Sequence, residues 1–183
     1  MVAAAYACVA RYGFAKVTVE DVAREAGMPR ATVYRYFPGG KDELLGRMVA
    51  TEMDDFFTRL AVEVADAADF AAVLERALMV AHRELEAHAV LQTVLASEPE
   101  RLLPYITHEQ HRILDAVVAY LRPLLQREAE AGRVRPGVDL DRATRYVATM
   151  GLSVMATPGR VDLTDARAVR DLVDRELLAG ILA

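Results

Sequence analysis

The sequence predicts an all-α protein of about nine helices, by the usual start and stop signals. Apolar residues recur at helical spacing nearly throughout, as in Phe70, Val73, Leu74, Ala77, Leu78, Ala81 and Leu85. Strand-like alternation is sustained nowhere. Breaks fall at Gly13, at Gly27 to Pro29, at Pro38 to Gly40, near Pro99 and Pro104, at Gly132 to Gly137, and at Pro158 with Gly159.

At 183 residues the chain suits one compact domain, or a small module joined to a larger one. With 54% hydrophobic and 27% charged residues it can bury a core. The net charge of -5 supplies no overall basic field, so any binding to nucleic acid must come from a local patch. Cys8 is the single cysteine, which excludes an intramolecular disulfide framework and a cysteine-rich zinc module. The opening MVAAAYACVA lacks the basic leading region of a signal peptide. No apolar run approaches the roughly 20 residues that cross a bilayer. A cytoplasmic protein with no membrane partner is the expectation.

The first helix carries Ala5, Cys8, Val9 and Tyr12 on one face. Thr18 and Asp21 then form a capping box with Asp in place of the usual Glu, which starts a second helix. Val19, Val22, Ala23 and Ala26 line its apolar face, and Gly27 supplies the left-handed conformation that ends helices at little cost. Pro29 suits the first turn of the next helix, where its missing N–H is not needed. Helix, tight turn, helix is the geometry of a helix-turn-helix, whose second helix enters the major groove of DNA.

Within that third helix Val33 and Phe37, four apart, would pin it to the core. Arg30, Ala31, Thr32, Tyr34, Arg35 and Tyr36 are left to face outward or sideways. Arginine can bridge guanine O6 and N7, threonine can meet a thymine methyl or a phosphate, and alanine permits close approach. Tyrosine hydroxyls and Lys41 suit phosphates. Residues 1 to 45 hold six basic and five acidic side chains. The acids Glu20, Asp21 and Glu25 fall on the second helix, so the third is the basic spot.

The stretch "TVEDVAREAGMPRATVYRYFPGGKDELL", residues 18 to 45, resembles the DNA-binding module of the tetracycline-repressor (TetR) family of bacterial transcription regulators. The Thr start, the Ala and Gly spacing, the Tyr-x-Tyr-Phe ending and the Lys-x-x-Leu entry to a fourth helix carry the likeness. Ala4, Ala5, Cys8, Val9 and Gly13 fit its first helix. The resemblance implies that Arg30, Ala31, Thr32 and Arg35 face bases while Thr18, Tyr34, Tyr36 and Lys41 touch the phosphate backbone. Three departures stand out. Pro29 replaces a frequent Ser, the Pro-Gly-Gly-Lys loop is one residue longer than the commonest form, and Met1 lies almost at the first helix. Contacts by a basic N-terminal arm are therefore not assumed.

The layout implied is a three-helix DNA-binding domain over residues 1 to 46 and a helical ligand-binding and dimerisation domain over 47 to 183. A fourth helix from Lys41 to about Leu60 would join them. In this family a ligand tilts that helix, changes the separation of two heads in a dimer, and releases a palindromic operator. Half-sites about 34–36 Å apart make modest movement sufficient.

Two apolar stripes belong to the last helices: Leu140, Ala143, Val147, Met150, Gly151 and Val154, then Val169, Leu172, Val173, Leu177 and Ile181. They could bury against the chain's own core or form a four-helix bundle with a second copy. The resemblance favours the homodimer. Bulky residues with polar tips nominate Phe56, Phe57, Met79, His82, Leu91, Tyr105, His111, Tyr120 and Met150 as lining for a small-molecule effector. Most of them are expected to be ordinary core.

His108, His111 and Asp115 share a helix face but lack a third strong ligand and a second shell, so no metal is expected. No cofactor is implied either. There is no Gly-x-Gly-x-x-Gly, phosphate-binding loop or His-Glu-x-x-His, and neither Ser97 nor Ser153 sits in a nucleophile elbow, which argues against an enzyme. The expectation is a ligand-responsive repressor; an activator, or a helical interaction protein that has lost DNA, is the alternative.

Overall fold

The computed structural model describes residues 1–157, 159 and 161–183, so the expected break at Pro158 lies outside the described residues. Nine α-helices are found among the described residues: α1 Val2–Lys16, α2 Val19–Glu25, α3 Arg30–Tyr36, α4 Lys41–Glu63, α5 Phe70–Ala87, α6 Ala89–Ser97, α7 Pro99–Glu130, α8 Leu140–Ala156 and α9 Ala166–Leu172. A π-helical turn, Val173–Leu177, continues α9. The only extended pairing among them is an isolated antiparallel bridge between Val134 and Leu182.

Packing divides the chain into two compact units, residues 1–58 with 88–109, and residues 59–87 with 110–183. In the first, Ala5, Cys8 and Val9 of α1, Val19, Val22 and Ala23 of α2, Val33 of α3, and Leu44, Leu45 and Met48 of α4 form one core that also takes Val94 and Leu102. Val33 is fully buried, and removing a side chain of that size from water stabilises by about 1.5–3 kcal/mol. Phe37, its expected companion, is half-buried against the same core.

In the second unit α5 packs on α8 and α9. Its stripe behaves as its spacing predicts, with Phe70, Val73, Leu74, Leu78 and Ala81 buried. Of the two stripes assigned to a partner subunit, Ala143, Val147, Val169, Leu172, Val173, Leu177 and Ile181 are at most 8% exposed within the single chain. They form its own core, because α8, α9 and the π-turn have α5 to pack on. Leu140, Gly151 and Val154 are half-buried and Met150 is exposed.

Two further breaks differ from expectation. Helix α7 runs unbroken through Pro104 and Pro123, since its start at Pro99 needs no N–H and each internal proline removes one ladder bond from a 32-residue helix. Conversely α5 and α6 are separated at His88, where no glycine or proline signals it; the His88 ring Nδ1 accepts from the Leu91 N–H at 3.1 Å and caps α6.

Candidate nucleic-acid interface

Each element of the head is set by local chemistry. Thr18 Oγ1 accepts from the Asp21 N–H at 3.2 Å while Asp21 Oδ2 accepts from the Thr18 N–H at 3.1 Å, so the expected capping box is formed in both directions. The Thr18 hydroxyl also donates to Asp21 Oδ2 at 2.6 Å. That hydroxyl, with help from the Thr18 N–H and Arg24, holds the Asp21 carboxyl below its ordinary range. Helix α2 ends at Glu25 with Ala26 in the C-cap position, and Gly27 turns the chain with φ 63°, in the region that favours glycine. Pro29 stands one place outside the helix, as the residue capping α3, rather than within its first turn.

With Val33 buried and Phe37 half-buried, Arg30, Ala31, Tyr34, Arg35 and Tyr36 are exposed and Thr32 is half-exposed. Arg30 lies 5.3 Å from the Tyr34 ring centre, and Arg35 lies 5.4 Å from that of Tyr36. Arg30 Nη2 donates to the Tyr34 hydroxyl at 3.2 Å. This bond, reinforced by the charges of Tyr34 and Glu20, raises the guanidinium's already high pKa.

Thr18, Arg30, Tyr34 and Lys41 gather around one open depression of about 490 Å3, together with Ala15, Val17, Val19 and Glu20. Four of the eight side chains expected to meet DNA thus share a single rim, although they come from the α2 cap, α3 and the start of α4. The Lys41 ammonium donates one bond to the Ala15 carbonyl at 3.0 Å and keeps two N–H groups for other acceptors.

Glu20 was missed by sequence reasoning, which treats α3 as free of acid. Its carboxylate lies 3.3 Å from Arg30 Nη1, across ten residues of chain. The signal was available in outline, since Glu20 is on the solvent side of the capped turn, opposite buried Val19 and Val22.

The nine side chains nominated for an effector are divided between the two units. In the first, Phe56, Phe57, Leu91 and Tyr105 are half-buried; in the second, Met79 and His82 are half-buried while His111, Tyr120 and Met150 are exposed. Tyr105 packs on Phe14 with ring centres 5.9 Å apart, and the Tyr120 hydroxyl donates to the Ala61 carbonyl at 3.4 Å. His108 and His111 are exposed, and Asp115 lies 3.4 Å from Arg145.

A short capped helix, a glycine turn and a second helix with its polar side in solvent define a helix-turn-helix, so the protein belongs to the DNA-binding transcriptional regulators. Residues 1–48 match the family model described as bacterial regulatory proteins, tetR family. The chain is 29% identical over 164 residues to an uncharacterised HTH-type transcriptional regulator of Mycobacterium tuberculosis, covering 89% of this chain and 80% of that protein. Among solved structures, a TetR transcription regulator from Haloarcula marismortui has a TM-score of 0.66 at 18% identity, covering 100% of this chain and 96% of that one. SmeT, the repressor of the Stenotrophomonas maltophilia multidrug efflux pump, was solved in complex with triclosan. That complex has a TM-score of 0.62 at 23% identity, covering 100% and 90%. Over residues 1–48 the chain thus carries the DNA-binding module of the tetR family of bacterial regulatory proteins. These relatives are regulators, not enzymes.

Proposed function

We propose that the protein is a cytoplasmic, ligand-responsive repressor that binds a palindromic operator as a homodimer and leaves it when a small molecule binds. One observation carries the DNA-binding geometry: Thr18, Arg30, Tyr34 and Lys41 surround one open depression beside an α3 whose polar side is in solvent. Arg30, Ala31, Thr32 and Arg35 read base edges, and Thr18, Tyr34, Tyr36 and Lys41 hold phosphates. Residues 1 to 46 form the reading domain and 47 to 183 the ligand-binding and dimerisation domain.

The homodimer uses the side of α8 that the chain leaves open. Met150 is 37% exposed, and nothing lies within 4 Å of where a side chain on Gly151 would begin, which suits close approach of a second helix. The effector reading draws on SmeT, a repressor of this fold whose complex with triclosan is known. Phe56, Phe57, Leu91 and Tyr105 of the first unit are one proposed set of contacts, and Met79, His82, His111, Tyr120 and Met150 of the second are a separate one.

The division of roles is tested with a duplex selected from a random-sequence pool by the wild-type protein. Arg30→Ala should weaken binding ~5- to 150-fold and relax preference at one position, whereas Lys41→Ala should weaken all duplexes alike and lower the salt slope by about one per head. Equal effects from the two substitutions refute the division.

A further inference from the structure

Helix α1 is interrupted near its end. Gly13 has φ 80° and ψ 168°, far from helical values, and the helix resumes only to Lys16. Such a reversal takes the next N–H groups off the i to i−4 ladder, where each needs another acceptor. Glu98, at the corner between α6 and α7, supplies one: its Oε2 accepts from the Ala15 N–H at 2.6 Å, across 83 residues of chain. The carboxylate occupies the space into which a side chain on Gly13 would project. Glycine at 13 therefore serves both the reversal and the approach of Glu98.

The other side of Ala15 faces the interface. Its carbonyl accepts from Lys41 Nζ at 3.0 Å, and Ala15 and Lys41 share the rim of the depression with Thr18, Arg30 and Tyr34. Ala15 is thus gripped at both of its peptides, by a carboxylate from the α6–α7 corner and by the ammonium proposed to meet phosphate. The same corner has a second hold on the head, because Tyr105 packs on Phe14 and reaches Asp42 in the first turn of α4.

We propose that Glu98 is a positioning residue for duplex binding: it fixes the broken end of α1 so that the Ala15 carbonyl holds the Lys41 ammonium at the rim of the interface. The inference rests on the reading of Lys41 as a phosphate contact. Simple electrostatics makes the opposite forecast, since a carboxylate near DNA repels phosphates and its loss should tighten binding.

The experiment compares Glu98→Ala, Glu98→Gln, Lys41→Ala and the double variant that combines Glu98→Ala with Lys41→Ala on the selected duplex, across a salt series, with thermal melts of each protein. Glu98→Ala should bind about tenfold more weakly and lose about one unit of salt slope per head, as Lys41→Ala does. The double variant should be no weaker than Lys41→Ala, because both substitutions remove one linked contact. Glu98→Gln keeps a carbonyl acceptor for the Ala15 N–H and should bind like the wild type. In the free protein the Ala15 amide should lose hydrogen-exchange protection in Glu98→Ala and keep it in Glu98→Gln. Additive losses in the double variant overturn the proposal, as does an unchanged salt slope in Glu98→Ala or tighter binding by both Glu98 variants. A wild-type protein without salt-dependent duplex binding overturns the functional reading and this one with it; any of the former outcomes overturns this one alone.

Discussion

Replacing Glu20 by glutamine sets two effects of the same carboxylate against each other. Glu20 lies 3.3 Å from Arg30, and the two side chains are 68% and 59% exposed. Ion pairs that open to water couple weakly, by a factor of at most about five in an equilibrium constant. Arg30 also keeps the Tyr34 hydroxyl at 3.2 Å and the ring beneath it, so its position does not depend on Glu20 alone. The opposing effect is repulsion, because Glu20 lines the same depression as Lys41 and faces the phosphates that Lys41 would hold. At about 6 Å in a water-like dielectric, two unit charges change an equilibrium constant by roughly threefold, which two heads compound to about tenfold. Repulsion wins because Tyr34 still holds Arg30 once Glu20 is neutral, so little of that coupling reaches binding, whereas the repulsion acts in full at both heads. Glu20→Gln should bind the selected duplex about tenfold more tightly at low salt. The gain should shrink as the screening length falls from roughly 10 Å at 0.1 M to 3 Å at 1 M. Fluorescence anisotropy of a labelled duplex across that salt range measures it. Weaker binding by Glu20→Gln at every salt would show that orienting Arg30 outweighs repulsion, and the reasoning would be wrong.

Two further expectations concern the head alone. Thr18→Ala removes the acceptor for the Asp21 N–H and should cost about 1 kcal/mol in a urea melt, unless the cap contributes nothing. Asp21 has its folded pKa depressed by the Thr18 hydroxyl, so its contribution is present above the unfolded carboxylate pKa and is lost as pH falls through the folded one. Asp21→Asn should therefore melt below the wild type at neutral pH, and the gap should close in acid beneath the usual carboxylate range; a gap that persists there contradicts the linkage. Cys8 is 1% exposed and burial pushes its thiol pKa up, with Glu25 and Asp21 adding to the effect. It should resist a thiol-selective disulfide reagent at mildly alkaline pH until urea is added, and rapid modification of the folded protein would contradict its placement.

The head was legible because its determinants are local. The Thr18–Asp21 box spans three residues, Gly27 acts through its own φ, and Val33 is placed by helical spacing from neighbours on the same short helix. The body was legible as helices but not as partners. A stripe such as Val169, Leu172, Val173 and Leu177 records that one side is dry, and both a subunit's own α5 and a second copy would dry it equally well. Periodicity does not encode which surface arrives, so the helices follow from spacing while their partners do not.

The same distinction explains why Glu20 and Glu98 were missed. Glu20 meets Arg30 ten residues away, and Glu98 meets Ala15 across 83 residues. Neither contact leaves a periodic trace, because a single carboxylate on an exposed or half-exposed turn looks like any solvated acid. What each does leave is a mark at the other end: Arg30 leans on Tyr34 rather than standing free, and Gly13 sits inside an otherwise helical run. A glycine placed where helix propensity opposes it costs roughly 1 kcal/mol relative to alanine in a regular helix, and here φ 80° shows that the backbone departs from the helix at that residue. Long-range polar contacts are therefore best sought at residues whose local choice looks unfavourable, since the contact that favours them lies elsewhere in the chain.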